Sequence, residues 1–224
     1  GDTLVESLTF NKYVCNRFLY GFGIRIADSM RLTGRDTQPD VADLTARMGL
    51  PLFVKPNVGG SSIATTKVVE AAQLLPAIEQ AFSEGEEVMI ERLICGTEVT
   101  CGAFLRKKEV VALPVTEVVA HNELFDFDAK YNGAVEEITP ARISDEATRL
   151  IQTMTARIYE LLNARGIIRV DYIIEADGIP TLLEVNTTPG MTPTSFIPQQ
   201  VRAAGMDMKE VLCTIIRDGL NETQ

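Results

Sequence analysis

The sequence predicts an α+β protein built as two lobes, each a small group of strands backed by helices. Three observations carry that expectation. The chain of 224 residues is 46% hydrophobic and 23% charged, the balance of a folded globular protein large enough for one big domain or two small ones. Helical and strand periodicities follow one another without repeats, low-complexity segments or long linkers. An Asp-Gly pair between two apolar runs marks a strong hairpin near the C-terminal end.

Element by element, residues 9–20 read as a helix with Thr9 as its N-cap, and Val41–Met48 as a second, ended by Gly49 and Pro51. Residues 51–56 form a strand that enters the turn Asn57-Val58-Gly59-Gly60-Ser61-Ser62, and 63–69 leave it as another. Residues 71–82 read as a helix, with Pro76 tolerable near its first turn, closed by Gly85. Glu87–Leu93, Thr97–Leu105 and Glu109–Val119 alternate as strands. Residues 120–140 are polar and aperiodic, a functional loop rather than a core element. Ser144 caps a long amphipathic helix that Gly166 closes, Ile167–Glu175 and Thr181–Asn186 make the hairpin, and helices near 194–204 and 207–218 finish the chain. A boundary near residue 92 divides the lobes, 1–91 and 92–224.

The charge narrows the function. Thirty-one acidic residues against 21 basic ones give −10, which argues against a broad nucleic-acid surface and against anionic membranes, but leaves room for a small nucleotide. No window approaches the ~18 apolar residues of a membrane span. The first residues lack the layout of a signal peptide, so a cytoplasmic location is expected. They also lack a Met, as expected of a processed or cut chain. The cysteines at 15, 95, 101 and 213 have no CxxC spacing, and His121 is the single histidine. Reduced, buried thiols are expected, and His-based nucleophilic catalysis is disfavoured.

The hairpin is the most informative segment. With Asp177-Gly178 as a two-residue turn, facing residues sum to 355: Asp171 lies opposite Glu184 and Arg169 opposite Asn186, all on one face. Opposed carboxylates destabilise a sheet unless something cationic joins them. Asp, Glu and Asn are hard oxygen ligands of the kind Mg²⁺ takes when it also holds phosphates. Ordinary charges on a solvated strand are the alternative, and Pro180 allows a wider turn. The Gly-Gly-Ser-Ser loop lacks the Lys of a phosphate-binding P-loop, yet its backbone N–H groups could close over phosphates beside Lys55. The run from Asn186 to Ser195 leads from the acidic strand into a helix N-terminus, where Thr192, Thr194 or Ser195 could be the cap.

Together these residues resemble a known family. Val54-Lys55-Pro56 with Gly60-Ser61-Ser62, and Ile90-Glu91-Arg92-Leu93 with Gly96-Thr97-Glu98, are similar to an ATP-grasp nucleotide site. Asp126-Phe127-Asp128-Ala129-Lys130-Tyr131, Arg169-Val170-Asp171 and Leu183 through Thr192 resemble the D-alanine–D-alanine ligases, over almost the whole chain from about residue 10 to 218. The resemblance implies an ATP-grasp fold with the nucleotide site between two α+β lobes. It implies ATP-dependent joining of two D-alanines through an acyl phosphate, for peptidoglycan precursors.

By that resemblance Lys12, Lys55 and Lys130 contact ATP phosphates, Glu91 and Leu93 lie against adenine, and Glu98 holds the ribose. Asp171, Glu184 and Asn186 bind Mg²⁺, with Mn²⁺ as a substitute. Arg169 and the Gly190 N–H stabilise the oxyanion, and Ser61 and Tyr131 order the polar loop. Ser195 and Phe196 meet the second D-alanine. Tyr131 resembles the dipeptide-forming members rather than the D-lactate ones; Phe196 stands where an aliphatic residue is usual. The family's N-terminal substrate domain has no counterpart here, so this piece alone is expected to bind ATP weakly and not to turn over. For the full-length protein a homodimer is compatible. The alternatives are another ATP-grasp carboxylate–amine ligase, such as a D-alanine–D-lactate ligase, or a non-catalytic ATP/Mg²⁺-binding module.

Overall fold

A computed structural model describes residues 3–34, 39–60, 63–120 and 135–221. The chain opens with two short helices, α1 (Thr3–Phe10) and α2 (Lys12–Tyr20), rather than one. The break falls at Asn11, whose side chain accepts from the Val14 N–H and caps α2. Thr9 is not a cap: it is buried inside α1 and its hydroxyl donates back to the Val5 carbonyl at 2.9 Å.

Strands β1 (Ser29–Thr33), β2 (Leu52–Pro56), β3 (Thr66–Val68) and β4 (Glu87–Arg92) form a four-stranded sheet in the order β1-β4-β2-β3, with every pairing antiparallel. Two helices cover one face. The first, α3 (Val41–Met48), is capped by Asp40, whose carboxylate accepts from the Ala42 and Asp43 N–H groups. The second is α4 (Leu74–Ser83), preceded by a single 3₁₀ turn and carrying Pro76 in its first turn, where no intrahelical donor is lost. The alternate residues Leu52, Val54, Val88 and Ile90 bury against Leu44, Leu74 and Phe82. Their neighbours Phe53, Lys55 and Glu91 therefore face the opposite way.

A second, six-stranded sheet follows: β5 (Thr97–Arg106), β6 (Glu109–Ala112), β7 (Thr116–Ala120), β8 (Val135–Ile138), β9 (Ile167–Ile174) and β10 (Pro180–Asn186). The stretch expected as one strand over 109–119 is two, because Leu113, Pro114 and Val115 interrupt it; both halves pair with the same side of β5. The buried amide of Gln200 bridges that interruption, accepting from the Gly102 N–H at 2.9 Å and donating to the Thr100 carbonyl at 3.0 Å and the Thr116 hydroxyl at 3.1 Å.

One face of this sheet packs on α5 (Asp145–Leu161) and on the α1–α2 pair through Val99, Cys101, Val170, Tyr172, Leu182, Ile151, Ile158 and Leu19. The helix α5 starts at Ser144 as expected and closes at Leu162–Asn163, with Asn163 left-handed at φ 48°. On the other face, α6 (Phe196–Ala203) and α7 (Met208–Asn221) cover the Phe104 end of β5 through Ile197, Val201 and Val211.

The hairpin reaches its expected pairing by an unexpected path. Its turn is wider than two residues: Pro180 faces Ile174, a register sum of 354, and Gly178 takes φ 77° with its N–H on the Glu175 carbonyl. A β-bulge at Leu183 then adds one residue to β10, so Glu184 faces Asp171 and Asn186 faces Arg169. Leu182 is fully buried, and the Leu183 carbonyl accepts from the Asn16 amide of α2 at 3.3 Å.

Candidate functional site

A cavity of about 700 Å³ lies between the two sheets. Alternation sends Phe53, Lys55 and Glu91 into it from the small sheet, and Lys67 on β3, the register partner of Phe53, joins them. Residues 93–97, which link the sheets, form its back. The large sheet contributes Glu98, Val118, Asp171, Ile173 and Glu184, together with the bulged Leu183. The apolar members sit around Leu93, Ile94 and Ile173, and the cations come from Lys12, Lys55 and Lys67. An apolar slot with convergent charged groups is the usual form of a small-ligand site.

Within the cavity Lys55 and Glu91 form a tight pair at 2.5 Å, with side-chain exposures of only 14% and 7%. Lys12, the first residue of α2, donates its ammonium to the Gly59 carbonyl, which brings the helix start over the glycine loop. At the far end, Arg169 holds Asp171 most closely through two short contacts, Nε to Oδ1 at 2.9 Å and Nη2 to Oδ2 at 2.7 Å. The Thr100 hydroxyl adds a third, 2.6 Å to Oδ1, and Glu184 stands 3.6 Å from Arg169. Burial works against the Arg169 cation, but the charges of Asp171, Glu184 and Glu98 outweigh it and hold the guanidinium above its ordinary pKa. Arg169 is thus a fixed positive charge among three acids.

The residues expected to meet the second substrate lie beyond this cluster and outside the cavity lining. The Phe196 ring packs under the Arg169 guanidinium at 5.3 Å. Gly190 lies close to Ser195: a Cβ there would meet the Ser195 Oγ at 2.8 Å and displace that hydroxyl. Ser195 occupies the N-cap position of α6, yet its hydroxyl accepts from the Thr192 N–H at 3.1 Å and so tightens the loop instead. The Asn186 Oδ1 accepts from the Thr188 N–H at 3.0 Å at the strand's end. Arg169 joins the two regions, touching Asp171 and Glu184 on one side and Phe196 on the other. Ser61, Lys130 and Tyr131 fall outside the described residues.

Among the described residues no group of three or more His, Cys, Asp or Glu side chains could hold a metal ion. Two facing carboxylates and one amide remain, an incomplete set for a protein-only cage. It fits Mg²⁺, which takes one or two carboxylates and fills its shell from phosphates and water. Sequence reasoning missed Lys67, Thr100 and Leu183. Lys67 could have been found by extending the strand register to β3; Thr100 and the bulge leave no mark in the pattern. The cysteines are free, but only Cys15 and Cys101 are buried, and burial pushes both thiols up to about 12; Cys95 is exposed at the cavity rim.

Comparison with known proteins agrees with this geometry. Residues 18–217 match the family model described as the D-ala D-ala ligase C-terminus. The chain is 99% identical over all 224 residues to a D-alanine–D-alanine ligase of Porphyromonas gingivalis, and spans 68% of that protein's length. Among solved structures, the D-alanine–D-alanine ligase of Bacillus anthracis in complex with ATP superposes with a TM-score of 0.82 at 30% identity, covering 98% of this chain and 69% of that one. The VanG D-Ala:D-Ser ligase of Enterococcus faecalis gives a TM-score of 0.86 at 32% identity, covering 96% of this chain and 63% of that one.

Proposed function

This chain belongs to the D-alanine–D-alanine ligase family, ATP-dependent ligases of peptidoglycan precursor synthesis with the ATP-grasp fold, and from that membership we propose how its cleft divides the work. The carboxylate of a first D-alanine attacks the γ-phosphorus of ATP, giving an acyl phosphate and ADP. The amine of a second D-alanine then adds to the acyl carbon, and phosphate leaves as the peptide bond forms. Phosphoryl transfer asks for positioning and charge neutralisation more than for a side-chain nucleophile. This cleft offers cations and carboxylates for that purpose.

The observation that carries the reading is the facing pair Asp171 and Glu184 at the end of a cavity lined by Lys12, Lys55 and Lys67. Leu93 and Ile173 would enclose the adenine, Glu91 would bond its edge, and Glu98 would take the ribose hydroxyls. Lys12 and Lys55 would neutralise the phosphates. Asp171, Glu184 and Asn186 would hold Mg²⁺, which supplies a Lewis acid for the transferring phosphoryl group. Arg169, fixed between the acids and Phe196, would receive negative charge on the tetrahedral oxyanion, and the Gly190 N–H would share it. Ser195 and Phe196 would contact the second D-alanine. Among the described residues no helix is long and apolar enough to cross a membrane, and we place the reaction in the cytoplasm, where ATP is available.

The test uses the complete ligase and D-alanine labelled with ¹⁸O in its carboxylate. One label should appear in the released phosphate, and ADP release should favour a D-alanine pair over D-alanine with D-lactate or L-alanine. Unlabelled phosphate would sink the acyl-phosphate route, and equal rates would sink the dipeptide assignment.

A further inference from the structure

We propose that Asn57 is a positioning residue for the nucleotide: it locks the start of α2 to the glycine loop and thereby sets where the Lys12 ammonium sits. The inference rests on the reading of Lys12 as a phosphate contact and extends it to a residue that touches no substrate.

Asn57 is fully buried at the first position of the loop, and every part of it is engaged. Its Oδ1 accepts from the Tyr13 N–H at 2.8 Å, and its carbonyl accepts from the Lys12 N–H at 3.1 Å. Those N–H groups belong to the first turn of α2, where no intrahelical acceptor exists. The helix start is therefore completed by a residue 45 positions or so away in sequence, on the other sheet. The Asn57 amide donates in turn to the Asn11 Oδ1 at 2.8 Å and to the Glu87 Oε2 at 2.5 Å, and its own N–H donates to the Glu87 carbonyl at 2.9 Å.

This junction crosses between the two lobes. Through Cys15 and Leu19, α2 is built into the core under the large sheet, whereas Asn57 and Glu87 continue the small sheet. The Lys12 side chain then reaches back to the Gly59 carbonyl, two residues beyond Asn57. No other acceptor pattern would fix both the helix start and the loop, because a side-chain amide alone supplies an acceptor to one element and two donors to the others. Asp at position 57 would lose both donors and face the Glu87 carboxylate.

The experiment is a double-mutant cycle in the complete ligase, with Lys12→Met, Asn57→Ala and the pair together. It reads ADP–Mg²⁺ affinity by calorimetry, KM for ATP and for D-alanine, and melting temperature. Asn57→Ala should weaken nucleotide binding about tenfold, the scale on which lost supporting hydrogen bonds act, and leave the KM for D-alanine unchanged. Added to Lys12→Met it should weaken nucleotide binding no further. Additive losses, or Asn57→Ala with unchanged nucleotide affinity, overturn the inference while leaving the site reading intact. Lys12→Met with unchanged affinity overturns the assignment of Lys12 itself, and this inference with it. If Asn57→Ala does not fold, Asn11→Ala, which removes one partner of the Asn57 amide at a partly exposed cap, takes its place in the same cycle with the same outcomes.

Discussion

The two faces of the cleft solve opposite electrostatic problems. On the small sheet, Lys55 and Glu91 neutralise each other at 2.5 Å in near-complete burial, and Lys67 beside them leaves that face positive. On the large sheet, Asp171 and Glu184 are set face to face with one arginine between them, so the charge there is left negative. The first arrangement offers cations, one of them already paired. The second stays short of cations, and on the proposed reading a divalent ion would complete it. The proposed function therefore assigns the metal chemistry to the face with the negative charge.

Substitutions that separate the two acids sharpen that contrast most. Asp171→Asn and Glu184→Gln should each lower ligation by about 100-fold or more, since a metal-held phosphoryl group draws several kcal/mol from its ion. Their stabilities should differ. Asp171 and Arg169 are both nearly buried, and breaking such a pair costs about 3–5 kcal/mol, whereas the half-exposed Glu184 should cost little. Chemical denaturation of both variants checks this, and equal losses would mean that the two acids are not distinguished by Arg169.

Next in size is Gln200→Leu. It strips partners from the Gly102 N–H and the Thr100 carbonyl, and should cost about 1–3 kcal/mol for each buried group left unpaired, read as a drop in denaturation midpoint. Thr100→Val removes the 2.6 Å bond to Asp171 and a longer 3.4 Å contact with the Val170 carbonyl. We expect Mn²⁺ affinity in the presence of nucleotide, measured by electron paramagnetic resonance, to fall about 10-fold with little change in stability. An unchanged Mn²⁺ affinity would show that Arg169 alone orients the carboxylate.

The smallest effect is one of pH. Hydrogen bonds from Arg142 hold Glu117 below its ordinary pKa of 4.5. Its contribution is thus complete above that value and is lost as pH falls through the lower native one. Glu117→Gln should flatten the acid limb of the stability curve slightly, and an unaltered limb would show the pair to be inert.

Much of this was legible in the sequence, and the hairpin shows both why and how far. The Asp-Gly signal located the turn, and the parity of Arg169, Asp171, Glu184 and Asn186 placed them together. The turn, however, is one residue wider than two, and the bulge at Leu183 restores the register that the wider turn had shifted. Leu183, which alternation sent to the apolar face, lines the cavity instead. Bulges depend on what packs beside a strand, here the Asn16 amide and the chain near Ile26, and that information lies far away in sequence. The split of the first helix was missed for a similar reason. Asn11 stops it because Asn57 and Glu87 are waiting on the other sheet. Thr9, the cap expected from the sequence, is used inside the helix instead.

The extra residue at Leu183 carries a lesson about lesion types. Deleting it would leave every side chain read as a metal or phosphate ligand in the gene. The ladder would then run on without a bulge, Leu182 still facing Tyr172 and Glu184 still facing Asp171, and what the cleft would lose is the leucine lining it beside the acids. A one-codon loss there would spare the facing acids, whereas loss of Val185, with no bulge to absorb it, would turn the Asn186 side chain to the buried face.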